Sequence, residues 1–171
     1  MINKEKVLFL ILAKSSTGKD FIVDKICKDF NKQKVISRTE RKPRWESENT
    51  HLFVSHEQAY KEYDRNDVIA KDIVYGNRYY TLPEDDIKNK DFYIINPQGI
   101  RKMKKNDLNL CIVYLKVNPL LRFLRIIKRD KLKAFKRLIL DIKEFKGAED
   151  MADIVCTPKE FYNMFEKGEL K

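Results

Sequence analysis

The chain of 171 residues contains no uninterrupted apolar stretch approaching the ~18 residues that a membrane-spanning helix requires. It has three cysteines, Cys27, Cys111 and Cys156, an odd and scattered set. With His51 and His56 they form no spacing typical of a metal site, so a structural zinc site is not expected. The cysteines in apolar surroundings read as small buried side chains. No Ser-His-Asp arrangement suggests a covalent intermediate. Internal repeats, low-complexity tracts and flexible linkers are also missing, which leaves one domain large enough for a real core. The N-terminal apolar run, residues 7–13, is too short for a convincing secretion signal and has no clear cleavage site. A first strand of a cytoplasmic protein is the expectation.

Acidic residues are scarce in one long segment. Between Arg101 and Lys146 there are 15 Lys or Arg against 4 Asp or Glu, a balance of +11, while the whole chain carries +10. Such a block suits either nucleic acid or a small polyanion such as a nucleotide. The apolar share of 43% and charged share of 36% fit a soluble globular protein.

Val7 to Leu12 is a continuous apolar run, as expected of a central parallel strand. A small polar loop follows, and then Phe21, Ile22, Ile26 and Phe30 at helical spacing. Residues 35–50 are polar and basic, with Pro43 against long regular structure. A short strand over 51–54, a helix over 57–64 and strands in "VIAKDIVYG" and "RYYTL" come next. Phe92 to Ile95 and Leu110 to Val117 are further buried strand candidates. Leu121, Leu124 and Ile127 recur at threefold intervals, and Leu132, Phe135, Leu138, Ile139, Ile142 and Phe145 form a second helical stripe. A last strand, Ile154 to Cys156, precedes a helix over 159–166. Strands interleaved with helices predict an α/β fold with a mainly parallel sheet.

The loop "AKSSTGKD", residues 13–20, carries the chemistry. A phosphate cradle needs a sharp turn whose backbone N–H groups converge on oxygens, a helix N-terminus, and a lysine reaching the outer phosphates. Ser15, Ser16, Thr17 and Gly18 are small enough for that path, and Lys19 begins the helix. The usual opening glycine is Ala13, which serves if that position does not need a positive φ. The usual closing Ser or Thr is Asp20, which can approach Mg²⁺ directly or through water.

"SRTERKPRWESENTHLFV" (37–54) resembles the guanylate kinase segment that holds the acceptor GMP, with its serine, R-x-P-R arginines and nearby glutamate. "GNRYYT" (76–81) and "NPQGIRKMK" (96–104) are similar to two later stretches of that family, the second a turn after a core strand in which Gln98 and Gly99 keep the pattern, and the order of the pieces matches over almost the whole chain. The resemblance implies a P-loop nucleoside monophosphate kinase fold with a mainly parallel five-stranded core sheet. It implies a core of 1–34, 82–120 and 138–171, an acceptor-binding insert of 35–81 and a helical lid of 121–137. Carried over residue by residue, Arg41 and Arg44 grip the acceptor phosphate, because a guanidinium fork satisfies its oxygens in pairs. Tyr79 touches that phosphate, Ser37 lies near the acceptor, Thr81 addresses the base, and Asn96 stands where the family has Asp. Arg125 and Arg129, four apart on one helical side, and Arg137 close over the transferring phosphates with Lys19. Arg122 could join them or belong to a solvated helix face.

The implied reaction is transfer of the γ-phosphate from ATP, with Mg²⁺, to a nucleoside monophosphate, GMP first, by a monomer or homodimer. Asp20 is the candidate metal ligand. The departures cluster on the acceptor side. Ala70 lies where the family uses a glutamate against the guanine edge, with Asp72 a possible substitute. His51 replaces a phosphate-binding tyrosine, and Ser47 holds the simple offset of the expected glutamate, with Glu46 and Glu48 beside it. These differences keep open a kinase for another (deoxy)nucleoside monophosphate, and a non-catalytic phosphopeptide-binding module. A nucleic-acid binder explains the charge but not the loop.

Overall fold

The computed structural model describes residues 6–43, 45–74, 76–82, 86–103, 108–130 and 134–170; the side chains of 74, 129, 130 and 134–137 lie outside that description. The chain opens with β1 (Leu8–Leu12), a loop and α1 (Lys19–Asp29). Then come β2 (Arg38–Thr39), β3 (Leu52–Phe53), α2 (His56–Tyr63), β4 (Ile69–Val74) and β5 (Asn77–Thr81). After them follow β6 (Phe92–Ile94), α3 (Pro97–Met103), β7 (Leu110–Leu115), α4 (Pro119–Asp130), α5 (Ala134–Glu144), β8 (Ile154–Cys156) and α6 (Pro158–Glu166).

Two sheets divide these strands. The core sheet has the order β6-β1-β7-β8 with every pairing parallel. Among the described residues the core sheet has four strands where five were expected, and Lys34 adds only an isolated parallel bridge to Phe92. The second sheet, β3-β2-β5-β4, is mostly antiparallel.

β1 is buried along its whole length because both faces of the core sheet are covered, as its unbroken apolar run requires. Leu8, Leu10 and Leu12 join Ile100 and Met103 of α3 on one face. Phe9, Ile11 and Ala13 join Ile22, Val23 and Ile26 of α1 and Phe161 and Phe165 of α6 on the other. There Phe9, Phe92, Phe161 and Phe165 pack as an aromatic cluster, with ring centroids of Phe161 and Phe165 5.4 Å apart. α6 starts on a capping box in which Thr157 and Glu160 satisfy each other's backbone N–H groups, with Pro158 opening the helix.

Three expectations about facing are corrected. Phe21 is 74% exposed, and Val23 takes its place in the core. On α4 the stripe Leu121, Leu124 and Ile127 is exposed, while Ile126 is fully buried. On α5, Ile139 and Ile142 point to solvent and Asp141 is buried; Leu132 and Phe135 lie outside the described residues or side chains. A fourth correction is α3, where a plain turn was expected. Asn96 Oδ1 accepts the N–H of Gly99 at 2.8 Å, as a helix-capping side chain does, and Pro97 opens the helix. Gly99 has no room for a side chain: a Cβ there would lie 2.5 Å from Ile95 Cγ1. Among the described residues no helix is long and apolar enough to cross a membrane.

Candidate active site

The loop between β1 and α1 turns through two left-handed residues, Ser16 (φ 61°) and Gly18 (φ 91°). Ala13 is not one of them, so its methyl group meets no backbone objection and is simply buried. Thr17 is also buried, and its hydroxyl donates to the Lys14 carbonyl at 2.7 Å, which fixes the turn. Gly18 caps α1 without a side chain, so no capping group covers the amides of the first turn. Lys19 Nζ lies 2.9 Å from Asp20 Oδ2; Asp20 is itself mostly exposed. Ser15 donates twice to Asp141 of α5, from its N–H to Oδ2 (3.1 Å) and from its hydroxyl to Oδ1 (2.9 Å). Arg122 of α4 completes the group by donating to Asp141 Oδ2 at 2.5 Å. Arg122 is therefore a nearly buried ion-pair partner and not part of a solvated face. Arg125 reaches the same loop through a long 3.5 Å contact from its Nη1 to the Ser16 carbonyl.

A cavity of about 290 Å³ runs from this loop to the second sheet. Its lining includes Ser15 and Lys19 from the loop and α1, Ser37, His51, Ala70, Asp72 and Tyr79 from the second sheet and its flanks, and Asn96. Among these the Ser37 hydroxyl and His51 Nδ1 are 2.9 Å apart, and the His51 and Tyr79 rings meet edge to face. Arg41 donates to the Tyr79 hydroxyl at 3.0 Å. It also forms a fork on Glu48, at 2.8 and 3.2 Å, and Thr50 donates to the same carboxylate. Glu48 is thus the glutamate facing the arginine, displaced by one from the simple offset at Ser47. Its contact raises the Arg41 pKa further, against the lowering effect of burial.

The wall is shaped by an irregularity. Ile69 pairs with Thr81 and Asp72 with Tyr79, so three steps along β4 match two along β5. This is a bulge, and its first residue is Ala70 at φ 52°. Ala70 and Asp72 both border the cavity as a result. Asp72 Oδ2 accepts from Asn96 Nδ2 at 3.0 Å, so Asn96 ties α3 to the second sheet as well as capping its own helix. Thr81 is buried behind the wall with its hydroxyl 2.5 Å from that of Tyr93, which does border the cavity. Burial pushes Tyr93 up to about 12, against the lowering effect of Thr81. Glu144, also at the wall, is raised by desolvation; a hydrogen bond with Asn96 opposes the shift, and the like charges of Asp141 and Asp72 add to it.

Of the residues singled out from the sequence, Ser15, Lys19, Ser37, Tyr79 and Asn96 share this cavity, with Arg41 one hydrogen bond behind it. Arg44 lies outside the described residues, as do the side chains of Arg129 and Arg137. Among the described residues no cluster of three His, Cys, Asp or Glu could hold a metal ion. Asp141, Glu144 and Tyr93 were not expected at the site. The first two lie on a helix read for its apolar stripe, of which Phe145 borders the same cavity, and Tyr93 is one apolar position in a core strand.

The architecture is thus α/β, with a glycine-lysine loop after the first strand and an arginine-bearing second sheet that shares a cavity with it. No protein-family model and no curated protein matches the chain. Among solved structures it is similar to a guanylate kinase from Anaplasma phagocytophilum, with a TM-score of 0.60, 16% sequence identity, and coverage of 99% of this chain and 89% of that one. A second likeness, to an uncharacterized protein from Eubacterium ventriosum, has a TM-score of 0.48 and 12% identity over 95% of this chain and 97% of that one. The first likeness shows the fold: the chain folds like a guanylate kinase.

Proposed function

We propose that the protein is an ATP-dependent nucleoside monophosphate kinase, with GMP the first acceptor to test. The observation that supports it is that one cavity is lined both by Ser15 and Lys19 and by Ser37, His51 and Tyr79. The first group offers a helix N-terminus and a lysine to the donor's phosphates. The second offers a hydroxyl, an imidazole and a tyrosine backed by a guanidinium to an acceptor phosphate. Direct in-line transfer needs this kind of positioning and distributed positive charge, not a protein nucleophile. In this reading Lys19 bridges the outer phosphates, Arg41 with Arg44 and Tyr79 holds the acceptor, and Arg125, Arg129 and Arg137 approach from the lid and help to exclude water. Thr81 acts through Tyr93, and Asn96 through Asp72.

Magnesium fits as a partner of the nucleotide and not as a resident ion. Mg²⁺ bound to phosphates takes only one or two protein carboxylates, and exposed Asp20 at the loop's edge can supply one. The ion would neutralise developing charge on the phosphates. A second reading, an acceptor other than GMP, is supported by Ala70, whose side chain offers no acceptor atom to a purine edge, which leaves Asp72 as the carboxylate that β4 brings to the cavity.

The test is ADP release from ATP with each ribo- and deoxynucleoside monophosphate in turn, beside Lys19→Ala. The expected result is turnover with one monophosphate and a loss of about 100-fold or more in the variant. ADP release that never rises above the variant's for any acceptor refutes the proposal.

A further inference from the structure

We infer that Asp141 is a built-in competitor for the phosphate loop: its carboxylate occupies the donors that a nucleotide phosphate needs, and the donor nucleotide binds by displacing it. The inference rests on the kinase reading above and adds to it a residue that sets donor affinity.

Asp141 is bound as an anionic ligand is bound. Its two oxygens take a loop N–H, a loop hydroxyl and a guanidinium, at 3.1, 2.9 and 2.5 Å. Backbone amide, hydroxyl and arginine are the donor types that recognise phosphate oxygens. The side chain is 6% exposed, and that of Arg122 is 12% exposed, so the pair is shielded from salt and water. Asp141 also borders the same cavity as Lys19. The plainer reading is a structural clamp between α5 and the loop, but a clamp has no need to use the loop's own anion donors.

Two anions cannot share these donors. A polyphosphate arriving at Ser15 meets a carboxylate already bonded to its N–H and hydroxyl, and like charges at that range repel. Binding is then an exchange, in which Ser15 and Arg122 pass to the phosphate and Asp141 gives up the loop. Because Arg122 lies on α4 and Asp141 on α5, the exchange releases α5 from the loop and from α4, while Arg125 of α4 keeps its own contact with Ser16. Occupancy of the donor site is thereby coupled to how the helix that carries Arg137 sits against the one that carries Arg125 and Arg129.

The experiment is calorimetric titration of the full chain with MgATP, comparing wild type with Asp141→Asn, Asp141→Ala and Glu144→Gln. Glu144 borders the cavity and bonds Asn96 instead of the loop, so its variant removes a nearby charge without removing a loop contact. The Asn variant keeps the shape where Ala could loosen the fold. Hydrogen exchange of the peptide spanning 13–18 is read in parallel without nucleotide. The expected result is binding at least tenfold tighter in both Asp141 variants, little change in Glu144→Gln, and faster exchange of the loop when Asp141 is replaced. Asp141 variants that bind no more tightly than wild type overturn the competitor and leave the kinase reading standing. Equal tightening by Glu144→Gln overturns it too, since the effect is then one of charge and not occupancy. If no protein binds MgATP, the kinase reading falls and the competitor with it.

Discussion

Ala70 provides a test of how the cavity wall is built. An alanine in an ordinary buried strand loses stability when changed to glycine for two reasons. The buried methyl group contributes about 0.8 kcal/mol, and glycine's extra freedom in the unfolded chain costs roughly another 0.5–1 kcal/mol. The usual penalty is therefore about 1.5 kcal/mol. Ala70, however, is buried at φ 52°, where a Cβ crowds the following carbonyl. That crowding costs roughly 1–2 kcal/mol, and glycine removes it. The two effects nearly cancel, so Ala70→Gly is expected to change stability by less than about 0.5 kcal/mol.

The comparison is Ala59→Gly. Ala59 is fully buried in α2 and is not among the left-handed residues. Glycine there loses the same methyl group and about 1 kcal/mol of helix preference, with no strain to relieve, for a cost near 1.8 kcal/mol. Urea denaturation followed by far-ultraviolet circular dichroism measures both. If Ala70→Gly loses as much stability as Ala59→Gly, the residue is not left-handed, and the bulge that sets Asp72 beside the cavity is wrong.

Two further outcomes follow from the charged groups. Glu48→Ala leaves Arg41 poorly solvated without its partner carboxylate, whose side chain is fully buried, so a loss of about 3–5 kcal/mol is expected by urea denaturation; a loss below about 1 kcal/mol would show the pair to be surface-like. The acid limb of stability should be carried by Glu40 and Glu62. Burial alone would raise both, but bonds from Arg78 and His56 to Glu40, and from Tyr80, Gln58 and Arg38 to Glu62, hold them below the ordinary value. A depressed carboxylate stabilises fully above the unfolded glutamate pKa of about 4.3 and loses that contribution as pH falls through its folded value. The Glu40→Gln, Glu62→Gln double variant should thus be less stable than wild type at pH 7 and show a flatter decline in urea midpoint below about pH 4.3; parallel declines would refute the assignment.

The core strands were legible because burial on both faces leaves an unbroken apolar run, as in "LFLIL" of β1. The turn after β1 was legible because a small polar run ending in Gly-Lys breaks off the apolar strand and can take the left-handed conformations found at Ser16 and Gly18. α3 was missed although its signal was present: Asn-Pro is a cap followed by a favoured first residue, but Gly99 drew the reading toward a turn. The Ala70 bulge had no such signal, since a left-handed alanine is set by the pairing of β4 with β5 and leaves no mark in composition.

The most instructive failure concerns α4 and α5. Their apolar period was read correctly as helical, but Leu121, Leu124 and Ile127 of α4 and Ile139 and Ile142 of α5 are exposed, and of the second stripe Phe145 packs on the core. Periodicity reports that a helix has two unlike sides, but not which side meets the rest of the protein. The usual inference, apolar inward, holds when the inner neighbour is a hydrophobic sheet. Here the inner neighbour is a loop with a serine N–H, a hydroxyl and a carbonyl to satisfy, and Arg122, Arg125 and Asp141 meet those groups. An unmatched buried polar group costs about 1–3 kcal/mol, comparable to what fully burying one leucine returns, so meeting the loop's polar groups is one contribution to how the helices face and does not by itself outweigh the apolar side chains left exposed. Ser15 and Asp141 are 126 residues apart, which is why no local pattern announces the contact.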